Sequence, residues 1–480
     1  MEPKEIFYPW FPAFLRLPVL LALFFVMLTA NGIFPGSIPF MYNEMGTWPE
    51  HLNFAYNSLF IGVSLGLMLE GRLKQRFPAK SLLLLGLSGM LAMNAVCATT
   101  SNPLIIAAAC FLLGIMKVAA FTEIFLVWLF VWSPDKQPSR VYPFLYAVVL
   151  AGSGIMNRAI TQLADSFNWR ISYTLVLLLL LGCLLIVLLC IRLHPLKRAV
   201  PLYQMDRAGI LYLSLSMMLL NYVLAYGALK DWFYDPSLQL SAAGALIAFL
   251  LFIRQELSTR HPMIPPALFQ VSNLGKGLLV FFLVGIFTPS PVQFTFTGIL
   301  KLEPIRLAEL NLYAIPGIIA AAIVCFCWYY KRLETIYLIL SGFAAMAVHQ
   351  WLLYTGLSPD FPMSGFWWPS VAKGYGTTTL FIAYGLYTIS NFEAARIMTV
   401  GGLMVLMRSF VTSALFTAIQ AYWIFVLRKR YFLQLTAGLQ DSISSAQRQY
   451  YMDQATLTAA KELTGLLFIA SMLTCLSLVC

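Results

Sequence analysis

Charge is scarce in this chain. Only 11 % of its 480 residues are Asp, Glu, Lys or Arg, against about 25 % in a soluble domain. Acids are the scarcer sign, 20 against 31 bases, which leaves a net charge of +11. With 60 % hydrophobic residues beside so little charge, the chain is excluded from the soluble multidomain, disordered and secreted disulfide-scaffold classes. The excess of bases does not point to nucleic acid, because no basic patch with a soluble fold of its own presents it. Histidine is rarer still: the four are scattered, and none of His51, His194, His261 or His349 has an acid five residues on. The eight cysteines include one close pair, Cys325 and Cys327, with a single residue between them. Zinc and redox motifs use two, so the cysteines read as small residues packed among helices. A nucleotide-binding P-loop is also missing, which excludes ATP drive within this chain. No cofactor, metal site or enzyme activity is expected.

What is present is a succession of long apolar runs. A short polar stretch, Met1 to Arg16, precedes a run reaching at least Ile33. That is too long for a signal-peptide core and has no clean small-residue cleavage site, so it is expected to stay as a first helix. At about 20 apolar residues per crossing, the runs predict fourteen spans: 17–40, 53–69, 81–99, 104–131, 141–163, 171–191, 208–229, 238–253, 274–298, 307–328, 336–354, 366–389, 399–426 and 463–480. Pro35 interrupts the first, Pro289 and Pro291 the ninth, and Pro316 the tenth. Backbone groups freed at such breaks must be satisfied by neighbouring helices or a wet cavity. Gly62 and Gly66 in the second span form a GxxxG, expected to serve close packing within one chain.

The bases set the orientation. With the N-terminus inside, 17 Lys and Arg fall on cytoplasmic segments, and four, Arg170, Lys230, Lys301 and Arg306, fall on short outer loops. This asymmetry predicts cytoplasmic termini, Cys480 included, and an outer segment 427–462.

Five bases fall within spans: Lys117, Arg158, Lys276, Lys373 and Arg408. One acid, Glu123, lies deep. A charge at a helix centre costs about 2.5–3.5 kcal/mol, so each is a functional candidate. Lys276, near a span end, is expected to snorkel. Lys117 and Glu123 are six residues apart, about 240° around the helix and about 9 Å along it. They cannot pair as an i,i+4 couple does, so each needs a partner from another helix, water or a ligand. Lys373, followed by Gly374 and Gly376, leads the substrate-binding candidates, with a structural ion pair or a snorkelling side chain as the alternative. Lys117, Arg158 and Arg408 are the further candidates. Glu123 is the candidate proton carrier unless it merely faces headgroups; Glu44 and Glu309 are alternatives.

The segment Gly71-Arg72-Leu73-Lys74-Gln75-Arg76-Phe77-Pro78-Ala79-Lys80 resembles the cytoplasmic loop signature of the major facilitator superfamily, with matches at Gly71, Leu73, Arg76 and Lys80. Gln75 replaces the usual acid and Pro78 the usual second glycine. Phe167-Asn168-Trp169-Arg170, Asp206 with Gly209, Asp231-Trp232-Phe233 and Tyr313-Ala314-Ile315-Pro316-Gly317 are similar to stretches of the fourteen-helix drug:proton antiporters of the EmrB/QacA type. Arg408 matches a family arginine. Ala30 stands where that family has an acid, Cys110 where it has an arginine, and Met156-Asn157-Arg158-Ala159-Ile160-Thr161 where it has its antiporter signature.

The resemblance implies an all-α polytopic membrane protein with the major facilitator fold. Residues 1–200 would form an N-terminal six-helix half, 201–260 two inserted helices, and 261–480 a C-terminal six-helix half with a long outer loop 427–462. It implies alternating access gated at 71–80, and proton-coupled export of small amphipathic compounds, of the multidrug efflux type, across an inner membrane. The partners implied are substrate, protons and lipid, with a periplasmic adaptor and outer-membrane duct docking on 427–462. The excess of buried bases leaves an organic-anion or acidic-metabolite carrier open. The departures from the family pattern leave a transport-inactive membrane scaffold open.

Overall fold

A computed structural model of the chain describes residues 7–132, 138–192, 206–289, 302–358, 361–390, 392–437 and 444–479. These residues are helical apart from turns and an isolated backbone bridge between Phe7 and Ile191. α1 (Ala13–Thr29) is followed by a break and by the short α2 (Ile38–Met45). α3 (Pro49–Arg76), α4 (Ala79–Thr99), α5 (Pro103–Trp132), α6 (Pro138–Ser166) and α7 (Trp169–Cys190) come next. α8 (Arg207–Tyr226) and α9 (Pro236–Ser258) form a pair. The second part of the chain comprises α10 (Ser272–Phe287), α11 (Pro304–Tyr313), α12 (Ile315–Tyr330), α13 (Thr335–Gly356), α14 (Trp367–Ile389) and α15 (Ala394–Val405). A π-helical turn, Leu406–Val411, joins α15 to α16 (Thr412–Thr436), and α17 (Ser445–Val479) closes the series.

Each of the fourteen expected intervals overlaps a helix. Eleven helical stretches are long and apolar enough to cross a membrane, and α1 and α10 are shorter apolar helices. Outside the described residues lie 290–298 of the ninth interval with Pro291, the expected boundary at 200/201, Lys301 and Cys480.

Local chemistry fixes the helix starts. The Asn168 side chain accepts from the Arg170 amide at 2.8 Å and opens α7. Asp206 does the same for Gly209 at 2.9 Å in α8, and Asp235 for Ser237 at 2.7 Å in α9. These caps satisfy donors that the first helical turn leaves free. Proline at the first turn of α3, α9 and α11 needs no amide partner there.

Polar contacts mark the two ends of the bundle. At one, Arg170 reaches Glu44 at 3.3 Å and the Ala98 carbonyl at 2.8 Å. At the other, Lys80 donates to the Leu188 carbonyl at 3.0 Å, and Arg72 to the carbonyls of His261 at 2.8 Å and Pro262 at 2.9 Å. Glu256 receives the Met263 and Ile264 amides at 3.2 and 2.9 Å, which orders the turn after α9.

Two helix crossings are interlocked backbone to backbone. Gly62 of α3 lies against the Phe111 carbonyl of α5, while Gly114 of α5 lies against the Leu59 carbonyl of α3. Gly317 of α12 and Gly374 of α14 likewise face the carbonyls of Val371 and Ala314. A Cβ at any of the four would collide with backbone, so the small residues set the crossing distance. The pair α8 and α9 is anchored on α3. Asn221 of α8 donates to the Phe54 carbonyl at 2.8 Å and accepts from Asn57 at 3.1 Å. The other side of α9 exposes Leu246, Ile247 and Leu250.

The segment 427–462 is not a long loop. Residues 427–436 continue α16 and 445–462 belong to α17. The run Arg428 to Thr436 holds neither Gly nor Pro, so nothing stops the helix at the charged cluster. Tyr431 donates to Glu462 at 2.5 Å, tying the two extensions together.

Candidate functional site

The first helix breaks in the stretch leading to Pro35, the interruption expected from the sequence. α1 ends at Thr29, and residues 30–37 leave the α-helical path before α2 begins. The freed backbone groups are met by side chains of three other helices. Lys117 of α5 donates to the Leu28 carbonyl at 2.6 Å and the Ala30 carbonyl at 3.4 Å. Its third donor goes to Asn31 Oδ1 at 2.6 Å. Tyr173 of α7 donates to the Gly32 carbonyl at 2.5 Å, and the Gly36 amide donates to Asn157 Oδ1 of α6 at 3.0 Å. The break is therefore a built feature, its polar groups matched by protein as burial demands.

Beside this break lies a cavity of about 360 Å³. Asn31, Phe34 and Pro35 of the break, Tyr56 of α3 and Asn157 of α6 form one wall. Asn311 of α11, Ile318 of α12, His349 of α13 and Ser370, Lys373 and Thr377 of α14 form the other. The body is apolar, with Leu150, Leu353 and Phe366 completing it. No Asp or Glu occurs among the described lining residues. His349 Nδ1 lies 2.7 Å from the Pro369 carbonyl, which can only accept, so Nδ1 carries the proton. Its Nε2 is buried with no partner.

The sequence candidates do not all meet here. Lys373 lies in the wall of the cavity and has no ion pair among the described residues. Lys117 stands behind the wall, all three donors engaged. Arg158 sits one residue from Asn157 and pairs with Glu309 of α11 at 3.1 Å and Gln162 at 2.9 Å. Arg408 lies elsewhere, on the π-helical turn, its guanidinium 5.2 Å from the Tyr146 ring and 5.0 Å from the Phe381 ring. Both rings lie within cation–π range, and they touch each other, with centroids 6.3 Å apart.

Glu123 belongs to a second polar cluster. Lys74 of α3 lies 3.5 Å from Glu123 of α5 and 3.4 Å from Glu70. Glu70 is fully buried and accepts from Thr122, and its other oxygen has no partner. As the helix arithmetic requires, Lys117 and Glu123 find partners on other helices. Of the loop residues, Leu73 packs against the core, Arg76 is exposed, Gly71 has open space around it, and Lys80 caps the Leu188 carbonyl. Lys276 is exposed, consistent with snorkelling.

Sequence reasoning missed Glu70, one residue beyond the expected limit of its span. It also missed Asn31 and Asn157, and dismissed His349 as scattered. A signal for the amides was present: Asn31 directly precedes Gly32 in a proline-broken apolar run, where a side chain must replace lost helix bonds.

The sequence pattern of the Major Facilitator Superfamily matches residues 19–417. A methylenomycin A resistance protein of Bacillus subtilis (strain 168) is 21 % identical over 354 residues, 72 % of this chain and 73 % of that protein. Among solved structures, the human organic anion transporter MFSD10 (TETRAN) is 14 % identical with a TM-score of 0.54, covering 94 % of this chain and 97 % of that one. A structure described under substrate recognition in proton dependent oligopeptide transporters is 13 % identical with a TM-score of 0.56, covering 96 % and 99 %. At these identities the structural likeness is one of fold.

Proposed function

The chain belongs to the major facilitator superfamily, a multi-pass membrane transporter by family, and from that premise we propose that it couples proton movement to export of small amphipathic compounds by alternating access. The cavity carries this reading. Its walls come from early and late parts of the chain, its volume falls in the range of small-molecule sites, and a discontinuous helix lines it. Transporters of inverted-repeat build place substrate at such a broken helix between repeats.

In this reading all fourteen expected intervals span, in two six-helix halves with α8 and α9 inserted, and both termini face the cytoplasm of an inner membrane. Lys373 meets the substrate. Lys117 holds Asn31 and the broken backbone in place. Arg158 with Glu309 closes the cavity mouth between α6 and α11. Arg408, on a turn whose hydrogen bonding departs from the α-helix, supports the opposite closure through Tyr146 and Phe381. Residues 71–80 form the cytoplasmic gate.

Glu123 is the proton site, together with Glu70. Two carboxylates share one ammonium there, so the cluster holds a charge that one proton neutralises. α5 carries both Lys117 and Glu123, and the glycine interlock ties α5 to α3, which bears Glu70 and Lys74. Substrate at the broken helix and a proton at the carboxylates therefore act on the same rigid helix pair.

The test is proton movement in liposomes holding a pH-sensitive dye, with a panel of amphipathic compounds and the membrane potential clamped. Substrate-dependent acidification or alkalinisation, absent from protein-free vesicles, is expected. Substrate accumulation with no proton movement would remove the coupling, and no movement of any compound would favour the scaffold.

A further inference from the structure

We infer that the cavity binds an organic monoanion with an apolar body, its anionic group held by Lys373 and by the amide nitrogens of Asn31 and Asn157. The inference rests on the cavity being the transport site and adds the charge and shape of what enters it.

The two amides have fixed orientations. Lys117 offers only donors, so the Asn31 atom 2.6 Å from it is Oδ1. The Gly36 amide is likewise a donor, so the Asn157 atom 3.0 Å from it is Oδ1. Each side chain is therefore held by its oxygen and presents its NH₂ away from that bond. Neither Nδ2 is a buried atom lacking a partner, and neither has a partner among the described residues. Both residues line the cavity, so both NH₂ groups open to it.

Lys373 is in the same condition. Its ammonium has no carboxylate partner, is not sealed from the cavity, and faces a wall with no Asp or Glu. Three donor groups thus line one cavity with no carboxylate among its described lining residues. A lone ammonium among apolar walls is costly unless it is paired, and the partner it lacks is an anion. One ammonium balances one negative charge; a dianion would leave a second charge unpaired in an apolar cavity. Phe34, Leu150, Ile318, Leu353 and Phe366 supply contact for an apolar body. A cationic amphipath would face Lys373 with nothing to offset the repulsion.

A charge series on one fluorophore tests this with the full chain in lipid nanodiscs. Dansylglycine is the anion, dansyl amide the neutral form and dansylcadaverine the cation. The anion is expected to bind at least about tenfold more tightly than the amide, as a charge-assisted hydrogen bond warrants. Lys373→Met should reduce the anion to the affinity of the amide, and Lys373→Arg should keep most of the preference. Anion binding equal to or weaker than that of the amide, including no binding of either, overturns the inference. So does a Lys373→Met variant that runs as a monodisperse folded protein and keeps the full preference. The wild-type series needs no variant to fold. Transport is read separately as uptake of each dye into liposomes. Uptake of the cation alone would leave transport standing and remove the anion; binding of the anion with no uptake would do the reverse.

Discussion

Two polar islands lie in one apolar bundle, and they are built on opposite plans. The island at the broken first helix is rich in donors: Lys117, Lys373, Asn31 and Asn157, with no acid among the described lining residues. The island between α3 and α5 is rich in acids: Glu70 and Glu123 around the single Lys74. At the first, one lysine is fully engaged by two backbone carbonyls and an amide oxygen, and the other has no ion pair among the described residues and lines the cavity. At the second, the lysine is shared between two carboxylates. The difference teaches that a buried charge must be judged by its partners. Lys117 and Lys373 look alike in sequence, yet one holds the backbone and the other has no ion pair among the described residues.

The strongest way to break this comparison is Lys117→Met. It leaves the Leu28 and Ala30 carbonyls and Asn31 Oδ1 without their donor, at an expected cost of about 3 kcal/mol. The thermal midpoint in detergent should fall, and dansylglycine binding should weaken as Asn31 loses its orientation. An unchanged midpoint would place Lys117 in the same class as Lys373.

Next is Lys74→Met, which strips both carboxylates of their shared, partly exposed ammonium at about 2 kcal/mol. Adding Glu70→Gln should restore part of the loss, and thermal unfolding of the single and double variants measures the coupling. Additive losses would show that the cluster is not one unit.

Glu123→Gln keeps the size of the side chain and removes its titration. Ligand-driven proton movement should fall about tenfold, equivalent to about 1.4 kcal/mol, with dansylglycine affinity within about twofold of wild type. If proton flux persists, Glu70 alone or another acid does the coupling.

The smallest effect belongs to Arg158→Ala. Its partner Glu309 is 37 % exposed, and ion pairs so placed contribute under about 1 kcal/mol. The loss should shrink further in high salt. A large, salt-independent loss would move Arg158 into the group of buried, structure-holding bases.

Much of the architecture was legible because bilayer-length apolar runs and caps are local signals. Asn168 and Asp206, which the sequence singled out by family resemblance, open helices, and GxxxG at Gly62 marks a crossing within the chain. Helix extent past the apolar runs was not legible: hydropathy falls at Arg428, but the helix continues to Thr436. Of the site, the in-span bases were visible one by one. Their roles were not, because a role depends on which distant carbonyl or amide a side chain meets. Lys117 and Leu28 are 89 residues apart. Glu70 was lost to a one-residue boundary, and the amides to the habit of counting charges.

The pair α16 and α17 has a consequence for imaging. A helix of 35 residues such as α17 is about 52 Å long, longer than the roughly 40–45 Å of a bilayer with its headgroups. With α16 tied to it through Tyr431 and Glu462, one face of the molecule bears a stiff projection. Particles in a nanodisc would carry this projection as a mark on that face, visible even in coarse images.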